Sequence, residues 1–220
     1  MLFLESPILC LVTDRLRCSG RSLEEVVENA VDGGVDIVQL REKDLEPIRL
    51  FELACRIRSI TEGKAQLFIN DRIDIAMASG ADGVQLGENS LQVETARRIS
   101  NGTLAIGRSV HRVKDVLEVY KMATDLVVLG SVFTTKTHPE IAPIGHEVFK
   151  HFTGSITSPV LGIGGITTEN VGRIIEAGAS GVGVITAISE APDPTTATLK
   201  MKAEMVKAWN ETHGTSVTIP

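Results

Sequence analysis

At 220 residues, the chain suits one large domain or two small ones, long enough to bury a sizeable core. Its hydrophobic content of 43% and charged content of 23% are those of an ordinary soluble globular enzyme. The net charge of −6 argues against nucleic acid as a partner, while leaving room for a local basic pocket that takes a phosphate. No apolar run approaches the roughly 18 residues that a membrane span needs. The opening Met1-Leu2-Phe3-Leu4-Glu5-Ser6-Pro7 lacks the basic segment and long apolar core of a secretory signal. Cys10, Cys18 and Cys55 show no metal or redox spacing and read as free thiols in a reducing cytoplasm. A soluble, cytoplasmic protein without a membrane partner is the expectation.

Eight short apolar runs follow in chain order, at residues 8–13, 35–41, 66–70, 83–86, 104–107, 126–129, 160–163 and 181–185. Amphipathic stretches alternate with them at 22–32, 47–60, 73–79, 93–100, 113–122, 146–152 and 168–177, with a last one near 196–209. Ser22 before Glu24 and Glu25 marks one helix start, and Thr167 or Thr168 is expected to mark another. Such alternation implies parallel strands joined by right-handed crossovers. Eight units in this length suit a closed (β/α)₈ TIM barrel, with an open doubly wound sheet as the alternative. One barrel domain over 1–211 is expected, followed by a frayed tail at 212–220.

An internal echo favours the barrel. Gly34-Val35-Asp36-Ile37, Gly80-Ala81-Asp82-Gly83, Ala123-Thr124-Asp125-Leu126 and Gly178-Ala179-Ser180-Gly181 share one plan, placed before every second strand.

A barrel of this type builds its active site at the C-terminal strand ends. Strand two ends in Gln39, Arg41 and Lys43, which suit an oxyanion-rich ligand such as a diphosphate. The competing reading is a solvated loop in which these cations pair with Glu42 and Asp44. Strand three ends in Asn70-Asp71, where a carboxylate beside an amide suits Mg²⁺ completed by water and phosphate oxygens. A plain helix cap accounts for the same two residues. Strand five leads to Ser109 and His111, the latter a candidate acid/base or another cap. After strand six comes a polar loop holding Thr134, Thr135, Lys136, Thr137 and His138, suited to an anion or a lid. Gly164-Gly165 after strand seven and Ile185-Thr186 at strand eight occupy the usual phosphate-binding position of these barrels.

Gln39-Leu40-Arg41-Glu42-Lys43, Phe68-Ile69-Asn70-Asp71-Arg72, Gly80-Ala81-Asp82-Gly83-Val84, Gly130-x-Val132-Phe133-Thr134-Thr135 and Gly162-Ile163-Gly164-Gly165-Ile166 together resemble the thiamine phosphate synthase superfamily. The likeness runs from about residue 8 to residue 188. It implies a (β/α)₈ barrel and one of two activities. One branch joins a pyrimidine diphosphate to a thiazole phosphate; the other, tautomerase-like, isomerises a thiazole carboxylate phosphate.

By that resemblance Gln39, Arg41, Lys43, Asn70 and Ser109 hold the pyrimidine diphosphate, and Asp71 is a Mg²⁺ ligand. Thr135, Thr137, Gly165, Ile185 and Thr186 hold the thiazole phosphate. Two positions depart from the synthase pattern: Ser90 stands where a second Mg²⁺ carboxylate is expected, and His138 where a lysine is expected. Glu88 and Lys136 lie two residues away as substitutes. Asn89-Ser90-Leu91 and Ser109-Val110-His111 look more like the tautomerase-like branch, which is favoured on that ground. There His111 or His138 serves as the base, since Ser131 replaces the histidine of that branch. Mg²⁺ is required only in the synthase alternative, and a non-catalytic phosphate-binding regulator is a third reading. A homo-oligomer is compatible with all three.

Overall fold

The computed structural model describes residues 5–111, 123–135 and 143–218. Eight parallel strands close into a barrel in sequence order, each paired with its chain neighbours and the eighth with the first. They are β1 (Ile8–Val12), β2 (Ile37–Leu40), β3 (Gln66–Asn70), β4 (Gly83–Leu86), β5 (Ala105–Val110), β6 (Leu126–Gly130), β7 (Val160–Ile163) and β8 (Gly181–Val184). The described helices are α1 (Leu23–Asp32), α2 (Pro47–Thr61), α3 (Ile73–Ala78), α4 (Val93–Ile99), α5 (His146–Thr153), α6 (Val171–Glu176), α7 (Thr186–Ser189) and α8 (Pro194–His213). The amphipathic stretch at 113–122 lies outside the described residues.

Closure settles the choice between barrel and open sheet. Alternation along the strands sends one set of side chains outward beneath the helices and the other inward. Inside, Ile8, Cys10, Val12, Ile37, Phe68, Leu126, Val128 and Leu161 form a packed plug. Cys10 is fully enclosed there, and burial pushes its thiol up to about 12, so it stays protonated. Outside, a larger apolar layer joins strands to helices, including Val38, Leu40, Ile57, Leu67, Ile69, Phe149 and Ile174. Gly181 is required by closure itself: a Cβ there would meet the Ile8 carbonyl oxygen at 2.0 Å.

The fourfold echo is a hydrogen-bonding device at the bottom of the barrel. Asp36 accepts the Leu9 N–H at 2.6 Å, Asp82 that of Leu67 at 2.8 Å, and Asp125 that of Ile106 at 2.7 Å. Ser180 takes the equivalent Val160 N–H more loosely, at 3.3 Å. Each echoed residue therefore ties an even-numbered strand to its odd-numbered predecessor. A cation seals each acid: Lys202 on Asp36, Arg58 on Asp82 and Arg97 on Asp125.

Several boundaries differ from expectation. Strand β5 runs three residues past Gly107, because Arg108, Ser109 and Val110 pair with Val127, Val128 and Leu129 of β6, while the Arg108 side chain anchors on the Glu88 and Leu91 carbonyls and Ser109 on Gln85. Polar residues thus remain in the strand. Ser22 does cap α1, accepting the Glu25 N–H at 3.1 Å. Neither Thr167 nor Thr168 caps α6, which begins only at Val171, because Asn170 folds the preceding residues into a turn by accepting the Thr167 N–H. Helix α8 continues past Trp209 to His213, and Asn210 then holds Val217 through both its N–H and its carbonyl.

Candidate active site

The C-terminal mouth is polar on one side and apolar on the other. Gln39 on β2 donates to Asn70 on β3 at 3.4 Å, and Gln85 on β4 donates to Ser109 on β5 at 3.0 Å. Both glutamines point into the barrel and are buried. Gly107 leaves the room: a Cβ there would stand 2.0 Å from the Gln85 Oε1. Opposite this belt lie Val128, Leu161, Ile163 and Ile185.

Asp71 follows β3 at a positive φ of 60°. It caps no helix: α3 has Arg72 at its N-cap and no side-chain cap bond. Its Oδ1 instead accepts the Gly87 N–H at 3.0 Å and the Ser90 hydroxyl, while its Oδ2 accepts from Asn70 at 3.0 Å. Three donors thus fix an exposed carboxylate at the rim. Ser90, at the position noted for a missing carboxylate, is therefore bonded directly to Asp71. Glu88 is turned elsewhere: its Oε1 takes the His111 N–H at 3.1 Å and lies 3.2 Å from the His111 Nδ1.

The loop after β2 sorts its charges. Glu42 and Asp44, the acids that the competing reading paired with Arg41 and Lys43, are both held by Arg15 from the loop after β1. Neither Arg41 nor Lys43 pairs with a carboxylate among the described residues. The solvated, self-neutralised loop is thereby corrected: Glu42 is 4% exposed. Arg17 pairs with Glu190 at 3.0 Å, and Arg21 donates to the Ser189 carbonyl at the end of α7 and to the Ala191 and Pro192 carbonyls beyond it. The β1 loop therefore braces both neighbouring loops. Sequence reasoning passed over these arginines; their crowding at 15, 17 and 21 was the only local sign.

Across the mouth, the exit of β6 is zipped to that of β7. Val132 donates to Ile163 at 2.9 Å and Phe133 to Gly164 at 3.1 Å. Gly164 and Gly165 have φ of 101° and 66°, and a Cβ on Gly165 would meet the Thr134 carbonyl oxygen at 2.5 Å. The two glycines thus let the Thr134–Thr135 backbone come against the β7 turn. Ile185 follows β8 at the N-cap of the short α7 and Thr186 opens that helix, both half-buried. Thr137 and His138 lie outside the described residues, as does Lys136.

A family model described as thiamine monophosphate synthase matches residues 9–188. The chain belongs to the thiamine monophosphate synthase family. Within this family, the thiamine-phosphate synthase of Haloquadratum walsbyi is 41% identical over 199 residues, 89% of each chain. That of Clostridium novyi is 42% identical over 187 residues, covering 84% of this chain and 92% of its own. A solved thiamine phosphate pyrophosphorylase from Pyrococcus furiosus superposes with a TM-score of 0.84 at 33% identity, over 91% of this chain and 96% of its own. A 3-hexulose-6-phosphate synthase shares the fold alone, at 17% identity and a TM-score of 0.65. Among the described residues, no helix of this family member is long and apolar enough to cross a membrane.

Proposed function

We propose that the chain is a thiamine-phosphate synthase, which joins hydroxymethylpyrimidine diphosphate to thiazole phosphate and releases diphosphate. The observation that carries this reading is the pair of cations, Arg41 and Lys43, that no carboxylate among the described residues compensates, on the same rim as the fixed carboxylate of Asp71. A leaving diphosphate needs such an arrangement. The tautomerase-like preference drawn from Asn89-Ser90-Leu91 and Ser109-Val110-His111 gives way to this alternative. Relatives 41% and 42% identical bear the synthase name. The acid–base group of the other branch is also poorly provided, because Ser131 stands in its place and the His111 ring faces Glu88.

In the proposed reaction the bond between the pyrimidine methylene carbon and the diphosphate oxygen breaks, and its electron pair leaves with the diphosphate. The thiazole nitrogen then gives its lone pair to that carbon, forming the new C–N bond and the thiazolium charge. Arg41 and Lys43 stabilise charge growing on the departing oxygens. Gln39, Asn70 and Ser109 orient the pyrimidine ring at the polar belt. Thr135, Thr137, Gly165, Ile185 and Thr186 hold the thiazole phosphate so that its nitrogen faces the methylene.

Mg²⁺ fits the hard oxygen donors at Asp71, since this ion commonly takes one or two carboxylates and fills its octahedron with water and phosphate oxygens. Among the described residues no group of three or more acidic, histidine or cysteine side chains gathers, so the ion would be held jointly by Asp71 and the diphosphate. When bound it supplies Lewis-acid neutralisation of the diphosphate. Restoring a carboxylate with Ser90→Asp sets two acids side by side. That variant is expected to melt lower than the parent without Mg²⁺, and to recover when Mg²⁺ and pyrophosphate are added. Equal melting temperatures under both conditions would remove Ser90 from the metal's surroundings.

The direct test supplies both substrates with Mg²⁺ and follows thiamine phosphate. Its formation is expected. Isomerisation of thiazole carboxylate phosphate without coupling, or ligand binding without any turnover, would replace this reading with the tautomerase or the regulator.

A further inference from the structure

The β1 loop bears on how the site binds its anion. Arg15 reaches across 29 residues of sequence to place its guanidinium fork on Asp44, with Nη1 and Nη2 each 2.6 Å from a carboxylate oxygen. The same Nη1 lies 3.1 Å from Glu42 Oε2. The Arg15 backbone N–H also donates to Glu42, at 3.2 Å to each oxygen. Thr13 completes the lock: its hydroxyl donates to Glu42 at 2.7 Å and accepts the Arg41 N–H at 2.9 Å. Acid and base alternate along Arg41-Glu42-Lys43-Asp44, so a loose loop would neutralise itself. This one cannot, because both acids are spent on Arg15.

We propose that Arg15 is a positioning residue that holds Asp44 away from Lys43 and Arg41, leaving both cations available for the diphosphate of the pyrimidine substrate. The inference rests on the synthase reading for the identity of that anion. Arg15 itself touches no substrate. It acts through the acid it removes, and a fork that grips Asp44 and Glu42 together does this better than the point charge of a lysine.

Two variants separate this role from simple bracing. Arg15→Met frees Asp44 to pair with the loop cations, and is expected to weaken inorganic pyrophosphate binding by about two- to fivefold, the range of an exposed ion pair. In steady state, KM for the diphosphate substrate rises by a similar factor while KM for thiazole phosphate stays put. Adding Asp44→Asn to Arg15→Met removes the competitor and restores the affinity, which a merely structural role would not do. Arg15→Lys, the variant to use should Arg15→Met fold poorly, is expected to fall between parent and methionine variant and to be rescued likewise. Pyrophosphate bound equally by the parent and Arg15→Met, or no recovery in the double variant, overturns the proposal alone. A parent that neither binds pyrophosphate nor forms thiamine phosphate overturns the synthase reading and this inference together.

Discussion

Asp71 adopts a left-handed backbone conformation, with φ of 60°. That region costs most residues with a Cβ about 1–2 kcal/mol, less for Asp and Asn, whose short polar side chains bond locally. Strain of this kind gathers at functional sites, where surrounding contacts hold it in place. Here Gly87, Ser90 and Asn70 do so by fixing the carboxylate. Asp71→Asn keeps the tolerated backbone and most of the size. It is therefore expected to fold normally but to lose on the order of 100-fold in kcat/KM, comparable to removing one preorganised electrostatic group. Turnover within a few-fold of the parent would remove Asp71 from the chemistry. Asp44 offers a second test. The Arg15 guanidinium holds its carboxyl down at about 2, below the ordinary 3.8. The folded value is depressed, so the stabilising pair is complete above pH 3.8 and is lost as pH falls towards 2. Carboxyl NMR titration is expected to give a midpoint about 2 in the parent and one near the ordinary value in Arg15→Met. Identical midpoints would break the link.

Elements carry the site by ending in the right places. Strand β5 would release Ser109 into a loop if it stopped at Gly107; the Gln85 bond keeps it in the barrel wall. The reading from sequence ended this strand early because Arg108 and Ser109 are polar; the β6 ladder and their partners on the β4 side account for the extension. The β7 turn shows the opposite case. Gly164-Gly165 was legible as a tight turn, since no other residue enters such backbone so freely. Gly165→Ala adds a Cβ within 2.5 Å of the Thr134 carbonyl oxygen, at a φ of 66°. The expected cost is about 1–2 kcal/mol in stability, with the β6 exit pushed off the turn. KM for thiazole phosphate should rise more than KM for the diphosphate substrate. An equal rise in both would place the phosphate elsewhere.

At the scale of the whole molecule, the barrel was readable because every second strand begins with the same chemistry. A small residue, an acid and a buried run recur before β2, β4 and β6, and each acid captures the N–H of the strand beside it. What could not be read was the long-range pairing that sorts charge. Glu42 looked solvated in sequence and is buried against Thr13 and Arg15, while the Lys202 ammonium closes on Asp36 from the far end of the chain. Lys202 is 7% exposed. Asp36→Ala would leave that ammonium enclosed without its counter-charge, which typically costs about 3–5 kcal/mol. Urea unfolding is the measurement, and a loss under 1 kcal/mol would show that Lys202 escapes to water.

The proposed reaction is departure of diphosphate followed by capture at the thiazole nitrogen. Phosphorus NMR on the intact chain with hydroxymethylpyrimidine diphosphate, thiazole phosphate and Mg²⁺ tests that most directly. Free diphosphate and thiamine phosphate are expected to rise together, one for one, and to stall together in Asp71→Asn. Diphosphate released without thiamine phosphate, or neither product formed while both substrates persist, would contradict it.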